Sequence, residues 1–337
     1  MAARPKVPTI LDIAAEAGVS KSAVSRALRG QGEVSPATRE KVEAAARRLG
    51  YVANAMAQAL VTSRTMNIGV VLRDVTRPYY AWLINGMQQE AEGRGYRVVT
   101  MTSAGELEVE DARRALATLV SLQVDGLVLA SARLPSEDVV PFVGRMPIVV
   151  AGRREIGAGI TSVFCDDADG GRSLADHLLD LGHRDIAVLL VDRDYSLSQH
   201  ARTAAMVERI EAAGATAHVW PVPDDNHTLD ALTERFDGSG VTALMCPTDT
   251  AALDALEFLR RADIAVPEAC SVTGFDGLGQ IANPYIGLTT FRQPAAEIGR
   301  SAVELLIDKI ERGRAQDRLV ELRGEMVLGR TSGPPPA

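Results

Sequence analysis

A chain of 337 residues exceeds one typical domain, so two or three are expected. Its 46% hydrophobic content with only 4% aromatic residues suits an Ala/Val/Leu-rich α/β core, and no run approaches the ~18 apolar residues of a membrane span, which argues against a membrane partner. The net charge of −8 is unevenly held: residues 1–64 carry ten Lys/Arg against five Asp/Glu, a local +5 that leaves −13 for the remainder. A basic head on an acidic body is the asymmetry expected when one domain alone meets phosphate. Cys165, Cys246 and Cys270 are odd in number and widely spaced, so neither a disulfide framework nor a metal cluster is expected. No apolar run follows the basic residues of the N-terminus, so no signal peptide is expected and a cytoplasmic location fits.

Residues 9–29 read as two short helices. Ile10, Ile13, Ala14 and Ala17 recur at helical spacing. Gly18 suits the left-handed residue that ends a helix, and Ser20 can accept a backbone N–H and cap the next. In the second helix Val24, Ala27 and Leu28 face inward, which leaves Lys21, Ser22, Ser25, Arg26 and Arg29 outside. An apolar back with a Lys/Ser/Arg front suits insertion into a DNA major groove. On these residues alone an ordinary amphipathic hairpin with a solvated face would serve as well. Ser35-Pro36 then starts a third helix, Val42, Ala45, Ala46 and Leu49 pack it onto the pair, and Gly50 ends it. Three short helices ahead of a large domain form a reading head over residues 1–53.

Residues 54–60 contain no Gly or Pro and are helix-prone, yet a segment this short does not hold a helix alone in water. The stretch 54–65 is therefore a hinge and linker to be ordered by a partner. From residue 66 strands and helices alternate. Strands are expected at 66–72, 97–102, 126–130 and 148–151, then at 186–191, 217–222, 243–246 and 271–275. Helices are expected at 80–94, 108–122, 168–181, 199–213, 229–236 and 251–262. Such alternation implies two doubly wound parallel-sheet subdomains, with ligands received beyond the strand C-termini. The Gly-Pro-Pro-Pro-Ala tail at 333–337 is expected to be disordered.

The residues Asp12-Ile13-Ala14, Ala17-Gly18-Val19-Ser20, Val24-Ser25-Arg26-Ala27-Leu28, Val34-Ser35, Thr38-Arg39 and Leu49-Gly50-Tyr51 with Asn54 resemble the headpiece of the LacI/GalR family of bacterial repressors. The likeness continues over about residues 8–332. It runs through Arg77-Pro78-Tyr79-Tyr80, Asp125-Gly126-Leu127, Asp166-Asp167, Gly182-His183-Arg184, Thr248-Asp249, Val266-Pro267, Gly274-Phe275-Asp276 and Leu288-Thr289-Thr290. This family's core is related to periplasmic sugar-binding proteins.

The resemblance implies a ligand-responsive repressor that binds a pseudo-palindromic operator as a homodimer. An all-α helix-turn-helix head joins a two-subdomain core at 66–332, one subdomain at about 66–162 and 292–323, the other at about 163–291 and 324–332. Lys21, Ser22 and Arg26 would read base edges. Ser20, Ser25, Tyr51 and Asn54 would position the DNA backbone, with Arg29 and Ala57 also at the DNA. Leu60 would wedge a minor-groove base step. For the effector, a sugar or sugar derivative, motif matches select Asp74, Tyr79, Tyr80, Arg153, Arg202, Thr248, Asp249 and Asp276. Carboxylates accept from hydroxyls, Arg donates in a fork, and a Tyr ring stacks on an apolar sugar face. The structural alternative is that Asp249 caps the helix near Thr250 and Tyr80 packs in the core. Arg77, Thr248 and Gly152 stand where the family commonly has Asn, Asn and Asp, which leaves the effector's identity open.

An enzyme is not expected, and neither is a cofactor or a metal. Gly277-x-Gly279-x-x-Ala282 imitates a dinucleotide fingerprint, but Asn283-Pro284 follows at once and bars the helix that would face a pyrophosphate. His177 and His183 are six apart and do not share a helical face for a metal. Cys165 beside Asp166 reads as a buried, inert thiol rather than a nucleophile. A transport-system binding protein would carry a signal peptide and no basic head. No leucine heptad follows the core, so no C-terminal tetramer coil is expected.

Overall fold

In the head, capping residues set where all three helices start and where the first and third stop. Thr9 accepts from the backbone N–H of Asp12, whose carboxylate reaches back to the Thr9 N–H at 2.7 Å, and this reciprocal box opens α1 (Ile10–Ala17). Gly18, at φ +64°, closes it. Ser20 Oγ accepts from Ala23 N–H at 3.2 Å and opens α2 (Lys21–Arg29). Ser35 caps α3 (Pro36–Leu49), with Pro36 in the first helical position. Ile13, Val24, Ala27, Val42, Ala45 and Ala46 form the head's own small core.

The computed structural model describes residues 8–29, 34–51, 64–102, 108–130, 134, 136–155, 160–237, 240–313 and 317–336. Asn54, Ala57 and Leu60 of the expected hinge lie outside the described residues. The chain divides into two units, Met1–Thr65 and Met66–Ala337.

The second unit contains two six-stranded sheets, each the centre of a lobe. The first lobe is built on β1 (Asn67–Leu72), β2 (Arg97–Met101), β3 (Gly126–Ala130), β4 (Ile148–Ala151), β5 (Thr161–Cys165) and β11 (Leu319–Leu322), in the order β11-β5-β4-β3-β1-β2 and all parallel. Ile68, Val70 and Leu72 point to α4 (Pro78–Gly93) and α11 (Ala295–Arg312), where Leu83, Met87, Ile298 and Leu306 are buried. Val71, Leu127 and Leu129 point the other way, to Leu116 and Leu119 of α5 (Val109–Ser121). Covering on both faces makes the central strands run continuously apolar.

The second lobe is built on β6 (Asp185–Val191), β7 (Thr216–Val222), β8 (Ala243–Met245), β9 (Ser271–Asp276), β10 (Thr289–Arg292) and β12 (Glu325–Val327), in the order β12-β10-β9-β8-β6-β7. Only β12 is antiparallel. One face receives α7 (Asp167–Asp180) and α8 (Leu197–Ala212) through Leu174, Leu178, Met206 and Ile210. The other receives α9 (Thr228–Arg235) and α10 (Asp249–Arg261) through Leu232, Ala252, Ala255 and Leu259. A short helix, α6 (Ser136–Val143), completes the first lobe.

The chain passes between lobes three times, at Asp166, at Gln293-Pro294 and at Arg323-Gly324. These crossings lie side by side, because Leu322 pairs with Cys165 and Glu325 pairs with Arg292. Since β5 stays in the first sheet to Cys165, the first crossing falls a few residues beyond the expected boundary at 162/163. Among the described residues six strands and α-helices were not expected from the sequence: β5, α6, β10, α11, β11 and β12. Pro141 interrupts the helical pattern of α6, and β11 and β12 are short edge strands rich in Glu. In α11 the signal was present, since Ile298, Ala302, Val303, Leu306 and Ile307 recur at helical spacing.

The tail also departs from expectation. Val272 N–H donates to Thr331 O at 2.7 Å, Gly333 N–H donates to Ser271 Oγ at 3.0 Å, and His183 Nε2 donates to Gly333 O at 2.8 Å. Gly333 is thus seated on β9, and Pro335 lies against Gly182. Its backbone groups find buried partners that composition does not reveal. Among the described residues no helix is long and apolar enough to cross a membrane.

Helices α4 and α11 touch backbone to backbone. A Cβ on Gly86 would collide with the Ala296 carbonyl oxygen, and one on Gly299 with that of Leu83. Gly299→Ala should therefore force the helices apart and lower stability by about 1–3 kcal/mol. A urea midpoint unchanged from wild type would show that the pair separates freely.

Candidate functional site

The outer face of α2 is polar and open. Lys21, Ser22 and Arg26 are exposed, while Val24 and Ala27 behind them are buried. Ser20 is exposed but its hydroxyl already caps α2, and Ser25 is half-buried. Tyr51 packs against the head core. The side chain of Arg29, like Asn54, Ala57 and Leu60, lies outside what the structure describes. Glu16 and Arg48 tie α1 to α3 by an exposed ion pair at 3.1 Å.

In the second unit the C-terminal ends of both sheets face one cleft. It is lined by Asp74 beyond β1, Arg153 beyond β4, Asp225 beyond β7, Thr248 beyond β8, Asp276 at the end of β9 and Gln293 beyond β10. The first turns of α4 and α8 add Tyr79, Tyr80 and Gln199, and Arg202 follows one turn into α8. The strand-end rule thus places these groups together. Seven of the expected effector residues line this cleft: Asp74, Tyr79, Tyr80, Arg153, Arg202, Thr248 and Asp276.

Asp249 does not line it. It is the first residue of α10, and its carboxylate is spent inside the lobe, accepting from Gly277 N–H at 2.7 Å and from the Thr290 hydroxyl. The cap of α10 is Thr248, whose hydroxyl accepts from Ala251 N–H at 3.2 Å and donates to Asp225.

Arg202 is the centre of the floor. Its Nη2 and Nε donate to Asp167 at 2.6 and 2.9 Å, and its Nη1 donates to Pro247 O at 3.0 Å and to Asp276 at 3.2 Å. Its guanidinium lies 3.8 Å over the Phe275 ring. Gln293 adds a donor to Asp276 at 2.7 Å. Asp276 holds this position with φ +116°, an uncommon backbone for a non-glycine residue. Tyr79 and Tyr80 meet edge to face at 5.2 Å, and the Tyr79 hydroxyl points at Gly152, where a Cβ would crowd it. The Tyr79 hydroxyl and Gln199 Oε1 are buried with no hydrogen-bond partner among the described atoms. Arg153 pairs with Glu155 at 3.0 Å and donates to Leu134 O.

Several lining residues escaped sequence reading. The two lobes meet across the cleft where Arg77 grips Asp225 with bonds of 2.6 and 3.1 Å. Arg73 stacks on Tyr195 at 4.3 Å, and Ser198 donates to Gly152 O at 3.3 Å. Asp225 also accepts from Tyr195 at 2.8 Å. Asp225 follows a strand as Asp276 ends one, so the rule that found Asp276 could have found it.

Burial sets the titration of these groups. Desolvation drives the carboxyls of Asp276 and Asp249 well above the ordinary carboxylate range, and the negative charge of Asp276 adds to the effect on Asp249. Burial pushes the Cys165 thiol up to about 12, so it is no nucleophile.

Residues 9–54 match the family model described as bacterial regulatory proteins, lacI family, and residues 175–332 match that of the periplasmic binding protein-like domain. The HTH-type transcriptional regulator CelR of Thermobifida fusca is 32% identical over 323 residues, covering 91% of this chain and 93% of CelR. A solved CelR–cellobiose complex aligns over 96% of this chain and 99% of its own, with 28% identity and a TM-score of 0.68. The lac repressor dimer bound to operator and an anti-inducer aligns over 97% of this chain and 100% of its own, with 26% identity and a TM-score of 0.80.

The raised carboxyls make a pH prediction. A group whose folded pKa lies above its unfolded value stabilises the fold fully below the unfolded pKa and loses that contribution as pH rises through the folded one. Half-buried His177 and buried His183, whose pKa values burial lowers, act in the opposite sense. The difference between wild type and Asp276→Asn isolates the carboxyl. Denaturant midpoints taken between about pH 5 and pH 8 should show the variant gaining on wild type as pH rises. Parallel curves would mean that Asp276 titrates normally.

Proposed function

Because the chain belongs to the lacI family of bacterial regulatory proteins, whose members are transcriptional regulators and not enzymes, we propose that it is a repressor that binds a pseudo-palindromic operator as a homodimer. A small-molecule effector, a sugar or sugar derivative, enters the cleft of the core and changes the affinity for DNA. The observation that carries this reading is one chain holding both an exposed Lys21/Ser22/Arg26 face on a recognition-type helix and a polar cleft at the C-terminal ends of two sheets. Carboxylates of Asp74, Asp225 and Asp276, guanidinium groups, and the rings of Tyr79, Tyr80 and Tyr195 are the chemistry a polyol needs. The likeness to a cellobiose complex and to an operator-bound dimer supports both parts. Asp249 acts from behind the cleft as a brace. The effector shifts the relation of the lobes, and that shift alters how two heads and two hinges meet the operator.

Gel shifts on genomic fragments with and without a panel of sugars test the whole reading. Failure of any fragment to shift would remove it. Arg26→Ala should weaken operator binding by about 1–3 kcal/mol and relax preference at one base pair per half-site, while random DNA is affected much less. Equal losses on both would reduce Arg26 to a phosphate contact.

The hinge part of the proposal rests on the sequence of residues 54–60. Leu60→Ala should reduce specific affinity and DNA bending together, since the wedge opens the base step that the bend uses. Circular-permutation gel shifts read the bend; an unaltered bend would leave residues 54–65 as a tether.

A further inference from the structure

The cleft leaves about 60 Å³ of free space. That is well below the roughly 150 Å³ that admits a benzene ring in an apolar cavity. A sugar ring is larger than benzene, so the cleft as it stands is tight for one. What holds it shut is specific. Arg77, at the start of α4 in the first lobe, donates Nη1 to Asp225 Oδ2 at 2.6 Å, and Nη2 to Asp225 Oδ1 at 3.1 Å and to Asn226 at 2.7 Å. All three acceptors belong to the second lobe. Asp74 lies 3.5 Å from Arg77 Nε and braces it from its own side. The Asp225 side chain is 1% exposed and that of Arg77 20%, so the pair is shielded from solvent rather than lying on an open surface.

We propose that Arg77 and Asp225 form an ionic clasp across the cleft, and that this pair controls admission to it. The proposal rests on the reading of the cleft as the ligand site. Asp225 is buried under Arg77, and Tyr195 at 2.8 Å, Thr248 at 3.2 Å and Gln199 at 3.5 Å also donate to it. Without the guanidinium, closing the lobes would bury an uncompensated charge, and water reaches that charge only if the lobes part. An entering molecule must take over both halves of the clasp. It must donate to Asp225 and accept from Arg77, as adjacent hydroxyl groups do. A molecule with neither function leaves the buried Asp225 charge without its ionic partner and Arg77 with Asp74 alone.

Thiol labelling of the full-length protein without ligand or DNA tests the clasp, so its outcome is independent of any sugar response. Thr250 lines the cleft, and the three native cysteines are buried. In a Thr250→Cys background, iodoacetamide should react slowly. Adding Arg77→Gln or Asp225→Asn should accelerate reaction at position 250 by roughly tenfold or more, the factor set by loss of a charge-assisted contact of about 1.4 kcal/mol or above. Arg77→Lys, which keeps the charge and loses the fork, should fall between. Mass spectrometry follows Cys246, buried in the second lobe, in the same samples. Equal rates at position 250 in all these proteins overturn the clasp. So does acceleration at Cys246 in step with position 250, because the lobe would then be unfolding rather than opening.

Discussion

A guanidinium taken out of water has to find its hydrogen bonds inside the protein, and Arg202 finds them on three separate segments. Asp167 begins α7, Pro247 precedes α10, and Asp276 ends β9. Arg202 is 4% exposed, so a missing partner would leave a buried charge uncompensated. The contact fixes where α7, α8 and the ends of β8 and β9 stand relative to one another. Burial away from water, against the pull of Arg202 and with the charges of Asp167 and Asp225 adding to it, is why Asp276 holds its proton beyond the ordinary range. The strained backbone at Asp276 belongs to the same arrangement, since that conformation delivers its carboxylate to both Arg202 and Gln293. The floor of the cleft is thus built before any ligand arrives.

The upper part of the cleft follows a different logic. Arg77, Arg73 and Ser198 make contacts between the lobes in addition to the three crossings and the packing beside them. These contacts can be exchanged for contacts to an occupant without disturbing either sheet. In the proposed reading, a rigid floor with an exchangeable roof would let a ligand act on the relation of two lobes while each lobe keeps its own core.

What could be read from the sequence divides along the same line. The three head helices were legible, because Gly18, Ser20, Ser35 and Gly50 act on neighbours within a few residues, and local rules suffice for caps. The sheets were legible wherever a buried strand is a continuous apolar run, as in β1 and β3. Motif matching named Asp74, Arg202 and Asp276, which the structure brings to the cleft. It misplaced Asp249, since an Asp at the first position of a helix can turn back to a nearby backbone N–H, here Gly277, as readily as outward. Arg77 and Asp225 are 148 residues apart, and no spacing rule brings them together. The tail failed for a related reason: its fate depends on Ser271 and His183, distant in sequence, offering partners to Gly333.

The three crossings bear on how the protein is made. Neither lobe is a continuous segment. Leu83, Met87 and Ala91 of α4 are synthesised some two hundred residues before Ile298, Ala302 and Leu306 of α11, which bury them. Until the ribosome has released α11 and β11, the first lobe presents an apolar helix face and an open edge at β5, both of which invite association with other chains. The second lobe has most of its strands earlier but waits for β12 and residues 331–333 to cover β10 and β9. Both halves therefore reach their final form only once residues 319–333 have been made. Loss of the final thirty residues would leave two incomplete lobes rather than one intact and one broken.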